Sequence, residues 1–283
     1  MSFSTDIKEE LSKLNNLANK DLVKAELYGY LDTNNVVKDK QSIKFSTESK
    51  YNINRFSKLL NNLNINKYDI DISGKNFYIT ILKNEYKKLE EIYGSYIVEK
   101  KENIEKAYIR GLFLGSGYIN NPKNTYHIEI MVKSLTKTKE IISILEKYNI
   151  NFKILDTKKK ISIYSKDGEE ISKFLAFIGA SVSLLKFEDI RVYRDMRNNI
   201  NRIVNCETAN LSKTVDAAIK QIEAINTLKK NGKFNNLPEN LKEIAILRLE
   251  NPEASLTELG QMLKKPIGKS GVNYRLNELL KMV

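Results

Sequence analysis

Apolar and polar residues alternate along Ser42–Thr47 (Ser-Ile-Lys-Phe-Ser-Thr) and again along 126–133. A period of two marks a strand with one buried face. A helical pattern follows each segment, at 52–63 and 136–148. Strand pairs come next, 68–72 with 76–82 and 152–156 with 160–165, turned at Ser73-Gly74 and at Lys158-Lys159. A last helical pattern closes each series, at 85–93 and 168–177. Ahead of each series stands a helix with small residues four apart, Ala25-x-x-x-Gly29 and Ala107-x-x-x-Gly111-x-x-x-Gly115, at an offset of 82. The pattern predicts an α-β-β-α-β-β-α unit present twice, with halves at 1–95 and 96–189. Two such halves make a pseudo-twofold α+β domain.

Residues four apart share one helix face. Glycine inside a helix costs up to about 1 kcal/mol relative to alanine. A row of small residues therefore predicts two helices that approach closely at the pseudo-twofold axis.

The end of the chain has another texture. Pro238, Pro252 and Pro266 punctuate short helical patterns within 236–283. The first patterned set is Leu241, Ile244, Ala245, Leu247 and Leu249. Ser255-Leu-Thr257-Glu258 is a capping-box sequence, opening a helix that buries Leu256, Leu259 and Leu263. After 264–269, Ser270 is the expected cap of a third helix, with Val272, Leu276, Leu279 and Leu280 as its apolar set. Three short helices with a tight turn before the last form a helix-turn-helix pattern. Residues 236–263 carry net −3 and residues 264–283 net +4. That polarity suits a last helix entering a DNA groove. Lys264, Lys265 and Lys269 are then phosphate contacts, with Ser255, Thr257 and Ser270 beside them. Asn273, Arg275 and Asn277 are side chains suited to base edges, with Tyr274 alongside. A three-helix unit that packs on a protein partner fits the same pattern.

Composition changes this picture in one respect. The 283 residues carry net charge +12, but Lys, Asn and Ile are all abundant, as A+T-rich coding favours. Residues 1–185 alone carry +7, and the same bias weakens that number. Arginine is scarcer and more informative. Four of the eight arginines, Arg191, Arg194, Arg197 and Arg202, fall within twelve residues. Guanidinium makes bidentate contacts that lysine cannot copy. The stretch is either a second DNA surface or an intramolecular clamp paired with Asp189, Asp195 or Glu207. Residues 190–235 form a basic helical linker, with 208–228 as one helix on Val215, Ala218, Ile219, Ile222 and Ile225.

One cysteine and one histidine exclude a disulfide framework and a multi-Cys or His-rich metal site. Cys206 reads as a small buried residue and His127, on an alternating strand, as a packed or edge residue rather than a ligand. No apolar run approaches a membrane span, and the first ten residues do not form a secretory signal.

The repeated helix-plus-sheet unit resembles the LAGLIDADG homing endonucleases. In that family the two central helices each end in a carboxylate that holds metal over DNA. Aligned on Gly29 and Gly111, those positions fall on Asn34 and Ser116, and neither is acidic. Asp32 stands two residues early, opposite Leu114 in the second half. Neutral side chains cannot supply the anionic oxygens that Mg²⁺ requires. The resemblance thus implies the scaffold without the nuclease, and neither cofactor nor metal.

Residues 190–220, Arg110-Gly-Leu-Phe-Leu-Gly-Ser-Gly, Leu237-Pro-Glu-Asn-Leu and Lys269-Ser-Gly-Val-Asn-Tyr-Arg-Leu together resemble the WhiA family of bacterial sporulation and cell-division regulators. That family is similar to a degenerate LAGLIDADG domain joined to an all-α helix-turn-helix domain. The resemblance implies a cytoplasmic, nucleoid-associated protein that binds double-stranded DNA. Its implied roles are cell division, chromosome segregation and, in sporulating organisms, sporulation transcription. No small-molecule substrate or membrane contact is expected. The rival readings are an adaptor whose first domain binds a division or replication protein, and a metal-dependent endonuclease.

Overall fold

The computed structural model describes residues 2–39, 42–82, 85, 87–89 and 101–283. The chain divides into two compact units, Met1–Asp195 and Met196–Val283.

The first unit opens with α1 (Phe3–Ser12) and then runs through the repeat. The first half holds α2 (Lys20–Leu31), β1 (Val36–Lys38), β2 (Ser42–Thr47), α3 (Lys50–Asn62), β3 (Tyr68–Ser73) and β4 (Asn76–Leu82). The second holds α4 (Glu102–Ser116), β5 (Gly117–Ile119), β6 (Ile128–Met131), α5 (Leu135–Lys147), β7 (Lys153–Asp156), β8 (Ile161–Ser165) and α6 (Gly168–Ile178). The helix expected at 85–93 lies largely outside the described residues. Each half builds a four-stranded antiparallel sheet, ordered β1-β2-β4-β3 and β5-β6-β8-β7. The two orders are identical once one half is laid on the other, which is the repeat in three dimensions.

Alternation places Ile43, Phe45, Ile79 and Ile81 on the buried face of the first sheet, and Ile128, Ile130 and Ile163 on that of the second. Both faces join one core with α2 and α4. These helices touch at their glycines. A Cβ on Gly29 would stand 2.1 Å from the Tyr108 carbonyl oxygen, and one on Gly111 1.9 Å from that of Glu26. A Cβ on Gly115 would meet Thr33 at 2.8 Å. Gly29 faces Gly111 and Thr33 faces Gly115, so the offset of 82 holds in space as well as in sequence.

A buried charge cluster ties both halves to the start of the chain. The Glu26 carboxylate, fully buried on α2, accepts from Arg55 Nε at 2.6 Å and from Arg110 at 3.2 Å. Arg55 also donates to the Leu14 carbonyl at 2.8 Å and to Asn16. The loop before α2, helix α3 and helix α4 thus meet on one carboxylate.

Helix α7 (Ser181–Lys230) begins in the first unit and ends in the second. Phe187 belongs to the first core, and Ile225 and Leu228 to the second. Two expectations change here. Cys206 is exposed, because the middle of α7 packs on nothing in its own unit. Val215 and Ile219 are exposed as well, while Ala218 and Ile225 are buried. After a short 3₁₀ turn at Lys233–Asn236, the second unit continues with α8 (Glu239–Glu250), α9 (Leu256–Met262) and α10 (Lys269–Lys281).

Candidate nucleic-acid interface

The second unit packs Leu241, Ile244 and Ala245 of α8, Leu259 of α9, and Val272, Leu276 and Leu279 of α10 around one small core. Ser255 and Glu258 form the complete capping box at the start of α9. The side chain of Glu258 accepts from the Ser255 backbone at 2.7 Å, and Ser255 Oγ accepts from the Glu258 backbone at 3.2 Å. Hydrogen bonding from Ser255, its backbone N–H first, holds the Glu258 carboxyl below its ordinary pKa. The turn closes against Gly260, where a Cβ would stand 2.3 Å from the Ile267 carbonyl oxygen. Ile267 N–H donates back to the Gly260 carbonyl at 3.1 Å. Only glycine allows that approach. Arg248 is buried beneath the α8–α9 loop and donates to the Ala254 carbonyl at 2.7 Å. Burial lowers its pKa.

Helix α10 is capped by Gly268, and Ser270 lies within its first turn rather than at its cap. Lys269 therefore occupies the first helical position. Burying Val272, Leu276 and Leu279 turns Ser270, Asn273, Tyr274 and Asn277 outward, with Arg275 half-buried. Leu280 is partly exposed. Lys264 and Lys265 are exposed in the turn, and the Lys264 backbone N–H donates to Glu243 at 2.7 Å. Thr257 is exposed on α9, and Ser255 is spent on the cap. A patch of ammonium groups, amides and one guanidinium thus covers the turn and the outer face of α10.

The floor between α2 and α4 has a different chemistry. Asn34 is exposed in a turn, while Ser116 is buried and donates to the Met131 carbonyl at 2.6 Å. Its hydroxyl is turned into the second sheet. The carbonyls at the helix ends also have partners. Lys133 Nζ donates to Leu31 O at 2.6 Å, Asn35 Nδ2 to Gly115 O at 2.7 Å, and Asn52 Nδ2 to Leu114 O. Asp32 is buried at the C-cap of α2, where it accepts from Tyr108 at 2.8 Å and faces Lys137 at 3.6 Å. Burial works against the Lys137 ammonium, but Asp32 and Glu140 more than offset it and raise its pKa. Burial lowers the pKa of Lys133, with Asp32 opposing and Lys38 assisting. Among the described residues, no group of three or more His, Cys, Asp or Glu could hold a metal ion. The outward side chains of the strands are no more basic. Lys44 and Lys153 stand against Asp69, Asp71 and Glu129. His127 Nε2 lies 3.6 Å from Glu129.

The arginine stretch divides at the boundary between the units. Arg191 pairs with Glu188 at 3.0 Å. Arg194 donates to the Pro122 carbonyl at 2.7 Å and lies over the Tyr126 ring at 4.2 Å. Arg197 and Arg202 are exposed on α7.

Two family profiles match the chain, the WhiA LAGLIDADG-like domain over residues 105–197 and the WhiA C-terminal HTH domain over 200–283. A probable cell division protein WhiA of Clostridium novyi is 37% identical across 100% of this chain and 97% of its own length. The corresponding protein of Clostridium beijerinckii is 37% identical over 100% and 98%. The chain belongs to the WhiA family. A Clostridium tetani member aligns at 48% identity over 71% of this WhiA-family chain and 65% of its own. The crystal structure of full-length DUF199/WhiA from Thermatoga maritima matches with a TM-score of 0.63 at 28% identity, covering 100% and 98%. The LAGLIDADG-like fold of the first unit and the helical unit after it are therefore WhiA features. What sequence reasoning missed in this WhiA chain are the side chains that satisfy the floor, Asn35, Asn52, Lys133 and Lys137. Each lies far along the chain from the group it meets, and only the offset of 82 hinted at which segments converge.

Proposed function

We propose that this protein is a DNA-binding regulator of cell division that reads double-stranded DNA through α9, the turn and α10. The observation that carries this reading is the outer face of α10. Burial of Val272, Leu276 and Leu279 leaves Asn273, Tyr274 and Asn277 exposed beside Lys264, Lys265 and Lys269, while the preceding residues 236–263 carry net −3. Phosphates favour the lysines, and base edges suit Asn and Arg. Roles in chromosome segregation and sporulation transcription, and a nucleoid location, extend the same reading. The first unit serves as a scaffold that does not cut DNA. Filled helix-end carbonyls, neutral Asn34 and Ser116, and unbasic sheet faces all support that assignment. Those same mixed-charge faces favour a protein partner on this unit.

Fluorescence anisotropy of the full chain on labelled genomic duplex tests the reading. Arg275→Ala is expected to weaken binding roughly 5- to 100-fold and to relax sequence preference. Lys264→Ala with Lys265→Ala should weaken all sequences alike and flatten the salt dependence by about one unit of slope per contact. Unchanged affinity in both variants would refute the reader, and Mg²⁺-dependent cutting would restore the nuclease.

A further inference from the structure

The first sheet ends on an open strand. β3 lies at its edge, paired with β4 in an unbroken register from Tyr68↔Ile81 to Ser73↔Asn76. In such a strand every second residue points its N–H and C=O away from the neighbour. Among the described residues, no other main-chain group pairs with Tyr68–Ser73. Sheet edges are ordinarily blunted by bulges, proline, short length or charge. The six residues of β3 run without bulge or proline, and the one device they carry is a pair of carboxylates, Asp69 and Asp71. The equivalent edge of the second half, β7, has four residues and places Asp156 on the core side.

The two faces of β3 differ. Ile70 and Ile72 share the core side with Ile79 and Phe77, yet they are 50% and 69% exposed. Asp69 and Asp71 are exposed on the outer side, and among the described residues neither makes an ion pair. We propose that this edge takes up an extended segment of a protein partner as a further strand, with basic side chains opposite Asp69 and Asp71 and apolar ones opposite Ile70 and Ile72. In strand addition the main-chain bonds give affinity and the alternate side chains give specificity. Opposite charges facing across a strand pair stabilise it, and like charges oppose it. A second copy of β3 is therefore a poor occupant. In the antiparallel registers that put Ile70 against Ile70 or Ile72, it sets carboxylate against carboxylate. Lys67 and Lys75 bracket the strand, so the basic residues of the added segment belong at its middle. A single added strand is a small interface, and the association is a reversible one. The proposal rests on the reading of the first unit as a platform for a protein rather than as a DNA surface.

A fluorescein-labelled peptide, Thr-Val-Lys-Val-Lys-Val-Thr, tests it by anisotropy against the full chain. The sequence reads alike in both directions and so fits either strand sense. It should bind, and the same peptide with glutamate for lysine should bind roughly tenfold more weakly or worse. Asp69→Lys with Asp71→Lys should reverse that preference without changing the circular dichroism, since both positions are exposed. N-methylation of one alternate set of peptide amides should abolish binding, and of the other set should leave it. Charge attraction alone would not make that distinction. Ile70→Thr with Ile72→Thr should weaken the peptide and leave duplex DNA affinity as it is. No binding of the lysine peptide at millimolar concentration, an unreversed preference, or the same response to both methylated sets would overturn the added strand. So would dimers of the wild type that the lysine variant disperses, which would make a second copy the occupant. Loss of duplex affinity in the threonine variant would instead make this face a DNA surface and remove the platform reading beneath the proposal.

Discussion

Lys8 shows what a single side chain can do to stability. Burial on α1 pushes its ammonium down to about 8, with Glu48 giving partial support. In the unfolded chain lysine titrates near 10.4. Between these values the unfolded chain binds more protons at this site, so its contribution to stability rises with pH across that window. Below about pH 8 the cost of the buried charge is present in full. Lys8→Met should therefore raise stability at pH 7 by on the order of 1–2 kcal/mol, after allowing for the part of the side chain that stays wet. The gain should shrink towards pH 10, which urea titrations of both proteins at several pH values would measure. A lysine on a helix reads as a surface residue in the sequence, and so do Arg55 and Arg248, both buried here. Their partners, Glu26 and the Ala254 carbonyl, come from other elements or from turn geometry, which no local pattern encodes.

Helices α2 and α4 were legible because a close approach leaves its mark at fixed spacing. Gly111→Ala should test how much that contact carries. The added carbon would sit 1.9 Å from a backbone oxygen that cannot rotate away, so the helices must part. A loss of about 4 kcal/mol or more is expected from chemical denaturation, beyond ordinary overpacking. Strands β1 and β5 were harder to see, since three residues each are too few to show a period. Helix α7 was read in pieces for a related reason: residues 197–217 are exposed, and their polar stretches interrupt any core pattern. The start of α10 shifted from Ser270 to Gly268 because Gly268 adopts the extended cap conformation, and a serine two residues later still fits the first turn.

At the scale of the whole molecule, the repeat and the order of the two units followed from pattern alone. The convergence of distant segments on the floor did not. That floor makes a direct prediction for Ser116→Asp paired with Asn34→Asp. Asn34 is exposed and should accept the change, but a carboxylate at Ser116 would face the Met131 carbonyl in a buried site. The double variant should lose about 2–4 kcal/mol of stability and gain no Mg²⁺ binding by calorimetry.

Satisfied carbonyls at the helix ends also bear on how such a scaffold can change over generations. Carboxylates alone would not rebuild a metal-holding floor, because Asn35, Asn52 and Lys133 already occupy the oxygens around it. Removing any one of them first strands a buried acceptor, and placing a carboxylate at position 116 first strands a charge. Apart from a change at the exposed Asn34, each such single step lowers stability before any combination could be of use. The side chains that fill the floor therefore act as a ratchet, which can be entered one substitution at a time and left only by several at once.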